Sequence, residues 1–561
     1  MRLLSFLLLS TLSVSSDVQE YTPNIPIVQV RNGSYHGVYN PIYNQEFFLG
    51  IPYAQPPVGN LRFRLPQSLN ETWTETRAAT EYGSMCLQAP EGHIFGSDDC
   101  LNINIVRPAG IDPSVKLPVL VYLHGGGFVD GSNSLPTRNV SFIVKESARA
   151  NSPIIVASLN YRLHIFGFLW GSIPKEAGIG NLGLRDQRLG LKWIQENIES
   201  FGGDPTKVTI WGSSAGALSV MSHITAYGGR DDGLFRGGIL ASNSGFHVDF
   251  DEAPLSHTWD AAYQKLQEAT GCTTDDSLQC LREVPSEELY QHALNITYPN
   301  WGRIIDGDFI QADRSELVRQ GKIVPVPIII GVTTNDGDLV AAGTSQINTT
   351  TEWDSWIRGR NHANNETIQI LSALYPDIPR LGMPNTLIGR PTGELAHYGT
   401  QWKRALAFAT DLDFNAPKRA ALRHWASLNL TAYSYRFNVY TRNLDIAHGV
   451  GHYGELPFVL MNTNGAGYEN SIDPFAGTPE SYKQVAQVMG RMWISFANYL
   501  DPNQNGVISQ TWPRYDIRKP QNIVFDANTS TLVFSEPDTI RTEHMDYLNR
   551  KMWHLNVESG M

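Results

Sequence analysis

A serine hydroxyl is a poor nucleophile at neutral pH until a neighbouring base takes its proton, and that base must itself be held by an acid. Ser214, in Gly212-Ser213-Ser214-Ala215-Gly216, stands where such a nucleophile would be built. A strand that turns at once into a helix leaves no room for a Cβ at the flanking positions, so glycine there is what the geometry requires. An acid and then a histidine should follow, each after a strand. Asp336 fits, in Gly331-Val332-Thr333-Thr334-Asn335-Asp336-Gly337, with Asp338 as a local rival. His452, in Gly451-His452-Tyr453-Gly454-Glu455, fits as the base, and His448 is similarly placed. Spacing alone chooses neither between the acids nor between the histidines. Attack by serine on a carbonyl also builds an oxyanion, best held by backbone N–H groups with no side chain in the way. His124-Gly125-Gly126-Gly127-Phe128 is a loop of that composition.

These residues must be positioned by regular elements, and strand candidates precede each of them. Leu101–Val106, Leu117–Leu123, Ile154–Leu159 and Val208–Trp211 are apolar and rich in β-branched residues. Further strands are predicted at Gly237–Ala241, Pro327–Val332 and Ala432–Tyr440. A helix is predicted over Gly183–Glu199, and another opens at Ala217. Strands alternating with helices imply a largely parallel central sheet with helices on both faces. Asp251–Thr297 and Val340–Ser427 hold helix-like stretches that read as excursions over the sheet's carboxyl edge. Near the start, Ile27–Val30 and Tyr35–Tyr39 read as a hairpin, and the proline- and glycine-rich Phe47–Phe63 as an ordered surface connection. No repeat or low-complexity linker divides residues 17–561, which read as one domain.

Residues 1–16 carry one cation, Arg2, then an apolar run and small residues, the order of a secretory signal that is too short to span a bilayer. A soluble, extracellular mature protein without a stable membrane anchor is expected. The net charge of −12, with no basic cluster to offset it, disfavours nucleic acid and anionic membranes as partners. Four cysteines in an exported chain should pair, and although three connectivities are possible, proximity favours Cys86 with Cys100 and Cys272 with Cys280. Glycosylation acceptors occur at Asn32, Asn70, Asn139, Asn295, Asn348, Asn365, Asn429 and Asn528.

Several long motifs in order give the chain a specific resemblance. FGGDPTKVTIWGSSAG, SDDCLNINIVRP, GIPYAQPPVGNLRF, LNYRLHIFGFL, NLGLRDQRLGLKWI and MWISFANYLDPN together resemble the type-B carboxylesterase and lipase family, the relatives of cholinesterases. The resemblance covers essentially the whole mature chain. It implies an α/β-hydrolase fold with Ser214 as nucleophile, Asp336 rather than Asp338 as acid, and His452 rather than His448 as base. It further implies oxyanion donors at Gly126, Gly127 and Ala215, disulfides Cys86–Cys100 and Cys272–Cys280, and ion pairs Arg62–Asp98 and Arg162–Asp186. No metal or organic cofactor is implied; the partner is a small-molecule ester.

Departures from the family pattern narrow the expectation. Most catalytic members carry Glu directly before the nucleophile, where this chain has Ser213, so its pocket should attract cations less. The 13 residues Leu87–Asp99 between the first two cysteines hold no Trp, which removes the choline platform and a long flap. The acid is Asp where many relatives have Glu. Asn243-Ser244 disturbs a Ser-Gly position, leaving Ser242 and Ser244 as alternative supports for the acid, and Asn102 replaces a usual aromatic. The expected activity is that of a secreted serine carboxylesterase. The alternatives are a triacylglycerol lipase of the same family and a non-catalytic adhesion-type member.

Overall fold

The computed structural model describes residues 25–112, 114–246, 255–296, 301–343, 346–441, 444–469 and 472–558. The expected signal, residues 1–16, lies outside them. Ile27–Gln29 (β1) and Ser34–His36 (β2) pair antiparallel, and the predicted hairpin ends there, because Val38–Asn40 (β3) leaves to pair with Gln45–Pro52 (β4). Thr76–Ala78 (β5) completes a three-stranded sheet with β1 and β2.

Among the described residues the main sheet has eleven strands. It continues with Asn102–Pro108 (β6), Leu117–Leu123 (β7), Ile155–Leu159 (β8), Gly203–Ser213 (β9), Gly237–Ala241 (β10) and Ile328–Thr333 (β11). Ala432–Phe437 (β12), Gln521–Phe525 (β13) and Val533–Pro537 (β14) finish it. The spatial order is β14-β13-β12-β11-β10-β9-β7-β8-β6-β4-β3. From β8 to β13 every neighbouring pair is parallel, and antiparallel strands close both ends.

Both faces of the parallel core are buried, which explains the continuous apolar runs. Side chains of one strand alternate between two cores. Val119, Val121 and Leu123 join the cluster that includes Leu182, Leu191, Val220 and Ile224, whereas Leu120 and Tyr122 join Ile143, Val485, Met489 and Trp493. Helices Leu182–Asn197 and Ala215–Gly229 therefore cover one face, and Ser141–Arg149 and Glu480–Tyr499 the other.

The expected connection at Phe47–Phe63 is in its first part a strand. Gln45–Pro52 lies in the main sheet with Phe48 and Ile51 fully buried. Its pairing with β6 slips between Phe48 and Ile51, and Gly50, at φ +67°, absorbs the slip as a bulge. Among the excursion residues, Leu255–Thr270, Ser277–Glu283 and Ser286–Leu294 are helices, as are Thr350–Asn361, Asn365–Leu374 and Trp402–Thr410. Ala416–Ser427 differs from the expected roof, since it lies against the sheet: Lys418 Nζ reaches Ser434 Oγ of β12 and Trp425 donates to Val326 O. Both disulfides, Cys86–Cys100 and Cys272–Cys280, are formed. The ion pairs Arg62–Asp98, at 2.9 Å, and Arg162–Asp186, at 2.6 Å, are also made. Asn102 is buried and donates to Ser84 O and Cys100 O, while Asn133 donates to its side-chain oxygen, so a polar network occupies that position.

Candidate active site

Ser214 sits between β9 and the helix Ala215–Gly229 with φ 57° and ψ −123°, a backbone conformation that serine adopts only when its surroundings enforce it. The enforcement is steric. A Cβ on Gly212 would lie 2.1 Å from the carbonyl carbon of Gly216, and one on Gly216 would lie 2.1 Å from Leu123 O. The elbow thus passes within van der Waals contact of itself and of the end of β7. The Ser214 N–H donates to Ala241 O at the end of β10.

The glycine loop follows β7 and abuts the elbow. Gly126 and Gly127 have φ of 112° and 62°, and Gly126 O accepts from the N–H groups of Val129 and Asp130. Gly126 and Gly127 donate their own N–H groups to no described residue. Ala215, first in its helix, has no intrahelical acceptor for its N–H. His124 is buried and stacked on Tyr161 at 4.3 Å, and burial pushes its imidazole pKa down to about 4, leaving the loop without a charge there.

β11 and β12 lie two and three strands from β9, and their carboxyl ends supply Asp336 and His452. His452 Nδ1 and Asp336 Oδ1 are 2.6 Å apart, with Asp336 fully buried and the histidine side chain 6% exposed. A carboxylate there accepts a hydrogen bond from Nδ1–H and so keeps the proton on that nitrogen, which leaves Nε2 as the basic nitrogen. Asp336 Oδ2 also accepts from Thr333 N at 2.8 Å. Burial alone would lower the His452 pKa. The hydrogen bond and charge of Asp336, with Asp338 and Glu455 behind it, outweigh burial and raise it above 6.5. Phe414, on a π-helical turn at Asp411–Asn415, packs on the imidazole at 5.5 Å.

Neither serine after β10 bonds Asp336 among the described residues. Ser242 donates to Glu455 Oε1 at 3.2 Å, and the Ser244 hydroxyl is buried without a partner. Ser213, directly before Ser214, is fully buried with its hydroxyl unpaired among the described residues, where a Glu would bring a carboxylate.

Two neighbours escaped the reading of the sequence. Tyr453 has φ 65°, and its ring touches His452 at 4.5 Å. Its hydroxyl and the Ser214 Cβ lie against the same face of Gly125. That hydroxyl is near enough for Ser214 to draw down a phenol pKa that burial raises overall, yet it lies outside hydrogen-bonding geometry. Nor is a direct Ser214–His452 hydrogen bond formed among the described residues; in free enzymes such bonds are often loose and tighten once substrate is bound. The second neighbour is Glu455, whose pKa is raised by burial and then by the charge of Asp336. No sequence signal marks a tyrosine forced to positive φ, whereas Glu455 closes the Gly451-His452-Tyr453-Gly454-Glu455 segment that is read for its histidine alone.

A parallel sheet with a strained serine elbow near its centre, and an acid–imidazole pair beyond the next strands, defines an α/β-hydrolase. The similarity to known proteins makes the class specific. The chain belongs to the Carboxylesterase family, whose model matches residues 24–547, and it is a carboxylic ester hydrolase. "Lipase 4" of Diutina rugosa is 33% identical over 566 residues, covering 93% of this chain and 95% of that protein. "Secreted lipase 1" of Botryotinia fuckeliana (strain B05.10) is 32% identical, covering 84% of each. Among solved structures, Aspergillus niger EstA superposes with a TM-score of 0.78 at 26% identity, covering 94% of this chain and 99% of that one.

Proposed function

We propose that residues 17–561 form one secreted serine carboxylesterase unit in which Ser214 is the nucleophile, His452 the base and Asp336 the acid. His452 Nε2 takes the Ser214 proton as the hydroxyl turns toward it, and Oγ attacks the ester carbonyl. The N–H groups of Gly126, Gly127 and Ala215 hold the oxyanion. His452 then returns the proton to the leaving alcohol, and water repeats the sequence on the acyl-enzyme. The buried 2.6 Å Asp336–His452 bond is the observation that carries this reading. It fixes one tautomer and leaves a basic nitrogen beyond the carboxyl end of the sheet, placed for proton transfer. Ser214→Ala should abolish turnover of a short-chain aryl ester and the stoichiometric organophosphate adduct while leaving thermal unfolding unchanged; retained turnover or labelling would overturn the assignment. An absent adduct on the native chain would favour the adhesion-type alternative.

The relatives named as lipases keep a second substrate class in view, long-chain glycerides. The loop between Cys86 and Cys100 favours the esterase. Gln88 and Phe95 exchange backbone hydrogen bonds at 3.0 Å, and the Gln88 amide bonds both N and O of Gly131, beside the oxyanion loop. These bonds hold the loop against Gly131, which supports an esterase without a mobile lid.

Secretion rests on residues 1–16, on relatives named as secreted and on the acceptor asparagines. Asn70, Asn295, Asn348, Asn365, Asn429 and Asn528 are exposed, and Asn139 is partly so. The Asn32 amide is committed to Glu71 O at 2.7 Å, which makes it the weakest acceptor. No helix among the described residues is long and apolar enough to cross a membrane.

A further inference from the structure

The two residues that rivalled the acid and base are themselves a pair. Asp338 Oδ2 and His448 Nδ1 are 2.7 Å apart, alongside Asp336–His452 and on the same two loops. The carboxylate's other oxygen, Oδ1, accepts the backbone N–H of His452 at 2.8 Å. His448 is anchored in turn, since its Nε2 lies 2.9 Å from the hydroxyl of Tyr398, which also reaches Asp445 at 3.4 Å. The His448 backbone N–H donates to Asp445 O, and Trp402 donates to Ala447 O. A second rung joins the loops at Asn335, whose N–H bonds Val450 O and whose Oδ1 accepts Val450 N, both at 2.9 Å.

From this geometry we propose that Asp338 and His448 are positioning residues that hold His452 at its working place through its own backbone N–H. The proposal rests on His452 being the base. Asp338 is 1% exposed, and both its oxygens are used on the histidine loop; among the described residues its carboxylate makes no salt bridge to a lysine or arginine. The chain that ends on the His452 backbone starts at Tyr398 near the surface, passes through an imidazole and closes on a carboxylate. Its length suits it to fix the height of the His452 main chain to within the fraction of an ångström that proton transfer demands.

Charge gives the pair a second effect that a purely structural staple lacks. The groups around the His452 imidazole are Asp336 and Asp338 from the acid loop, Glu455 from its own loop, Phe414 from the π-turn and the Tyr453 ring. Asp338 is among the carboxylates that favour the imidazolium. Replacing it by Asn keeps an oxygen for the His452 N–H but removes the charge. His448 can follow by moving its proton to Nε2, donating to the Tyr398 oxygen while that phenol turns to Asp445.

Three variants, compared with Ser214→Ala, test this on an aryl ester. Asp338→Asn should keep kcat within about threefold and KM within about twofold, while the acidic limb of kcat/KM moves to lower pH by about half a unit or more. Asp338→Ala, which also removes the acceptor, should cut kcat at least about tenfold at unchanged KM, and His448→Gln should fall between the two. An acidic limb unmoved in Asp338→Asn, or a loss of thermal stability in Asp338→Ala without a fall in kcat per folded enzyme, would overturn the proposal. Those results leave Ser214→Ala inactive, whereas turnover by Ser214→Ala would instead remove the base assignment on which the proposal stands.

Discussion

At the scale of single residues the site is decided by which carboxylate each imidazole meets. Burial should make His452 a weaker base than a free histidine, but Asp336 at 2.6 Å, with the charges of Asp338 and Glu455, more than reverses that and raises its pKa above the ordinary value. As the proposed base, His452 works in its neutral form. Activity is therefore predicted to fall as pH drops through the raised value, and the acidic limb of kcat/KM should lie above pH 6.5. The stability linkage has the opposite course. A raised folded pKa contributes stability that is fully present below the unfolded pKa and is lost as pH rises through the folded one. Asp336→Asn removes both the tautomer control and the charge; kcat should fall by about three to four orders of magnitude, with the residual acidic limb displaced downward. A limb that stays in place in that variant would show that another group titrates.

At the scale of elements, the elbow is the part of the molecule that sequence describes best, because its glycines answer to hard contact. Gly216→Ala would press a methyl group onto Leu123 O, a backbone atom that cannot step aside without breaking β7. The variant should lose about 3 kcal/mol or more, read as a marked drop in Tm or as insoluble protein. A stable, fully active Gly216→Ala would mean that the turn has slack the contacts do not suggest. The same logic explains what was legible and what was not. The strands flanking the site carry two-sided apolar runs, and Leu117–Leu123 and Gly237–Ala241 fall where the pattern puts them. Gln45–Pro52 was hidden because Pro52, Pro56 and Pro57 crowd its end and Gly50 interrupts its alternation with a bulge. Asp336 and Asp338 are two residues apart, and His448 and His452 four apart; within each couple composition is equivalent. Only the folded loops, crossing in register at Asn335 and Val450, sort them into two separate pairs, and only the family resemblance could rank them beforehand.

At the scale of the whole molecule, the question is whether the enzyme works on dissolved esters or at a lipid surface. Work at a lipid surface requires that segments bordering the site move aside to admit insoluble substrate. Here the loop between Cys86 and Cys100 is closed by its own disulfide, by the Gln88–Phe95 bonds and by the Gln88 clamp on Gly131. A chain carrying a net charge of −12 is also repelled by anionic surfaces at low ionic strength. Both features predict a plain saturation curve: on a short-chain triglyceride, the rate should show no jump as substrate passes its solubility limit. Gln88→Ala frees the loop from Gly131 without touching Ser214 or His452. If the clamp is what keeps the loop shut, that variant should gain rate on dispersed substrate relative to dissolved substrate. A sharp jump in the native enzyme would assign it to the lipases instead, because it would require the Gln88 bonds to Phe95 and Gly131 to give way at the interface.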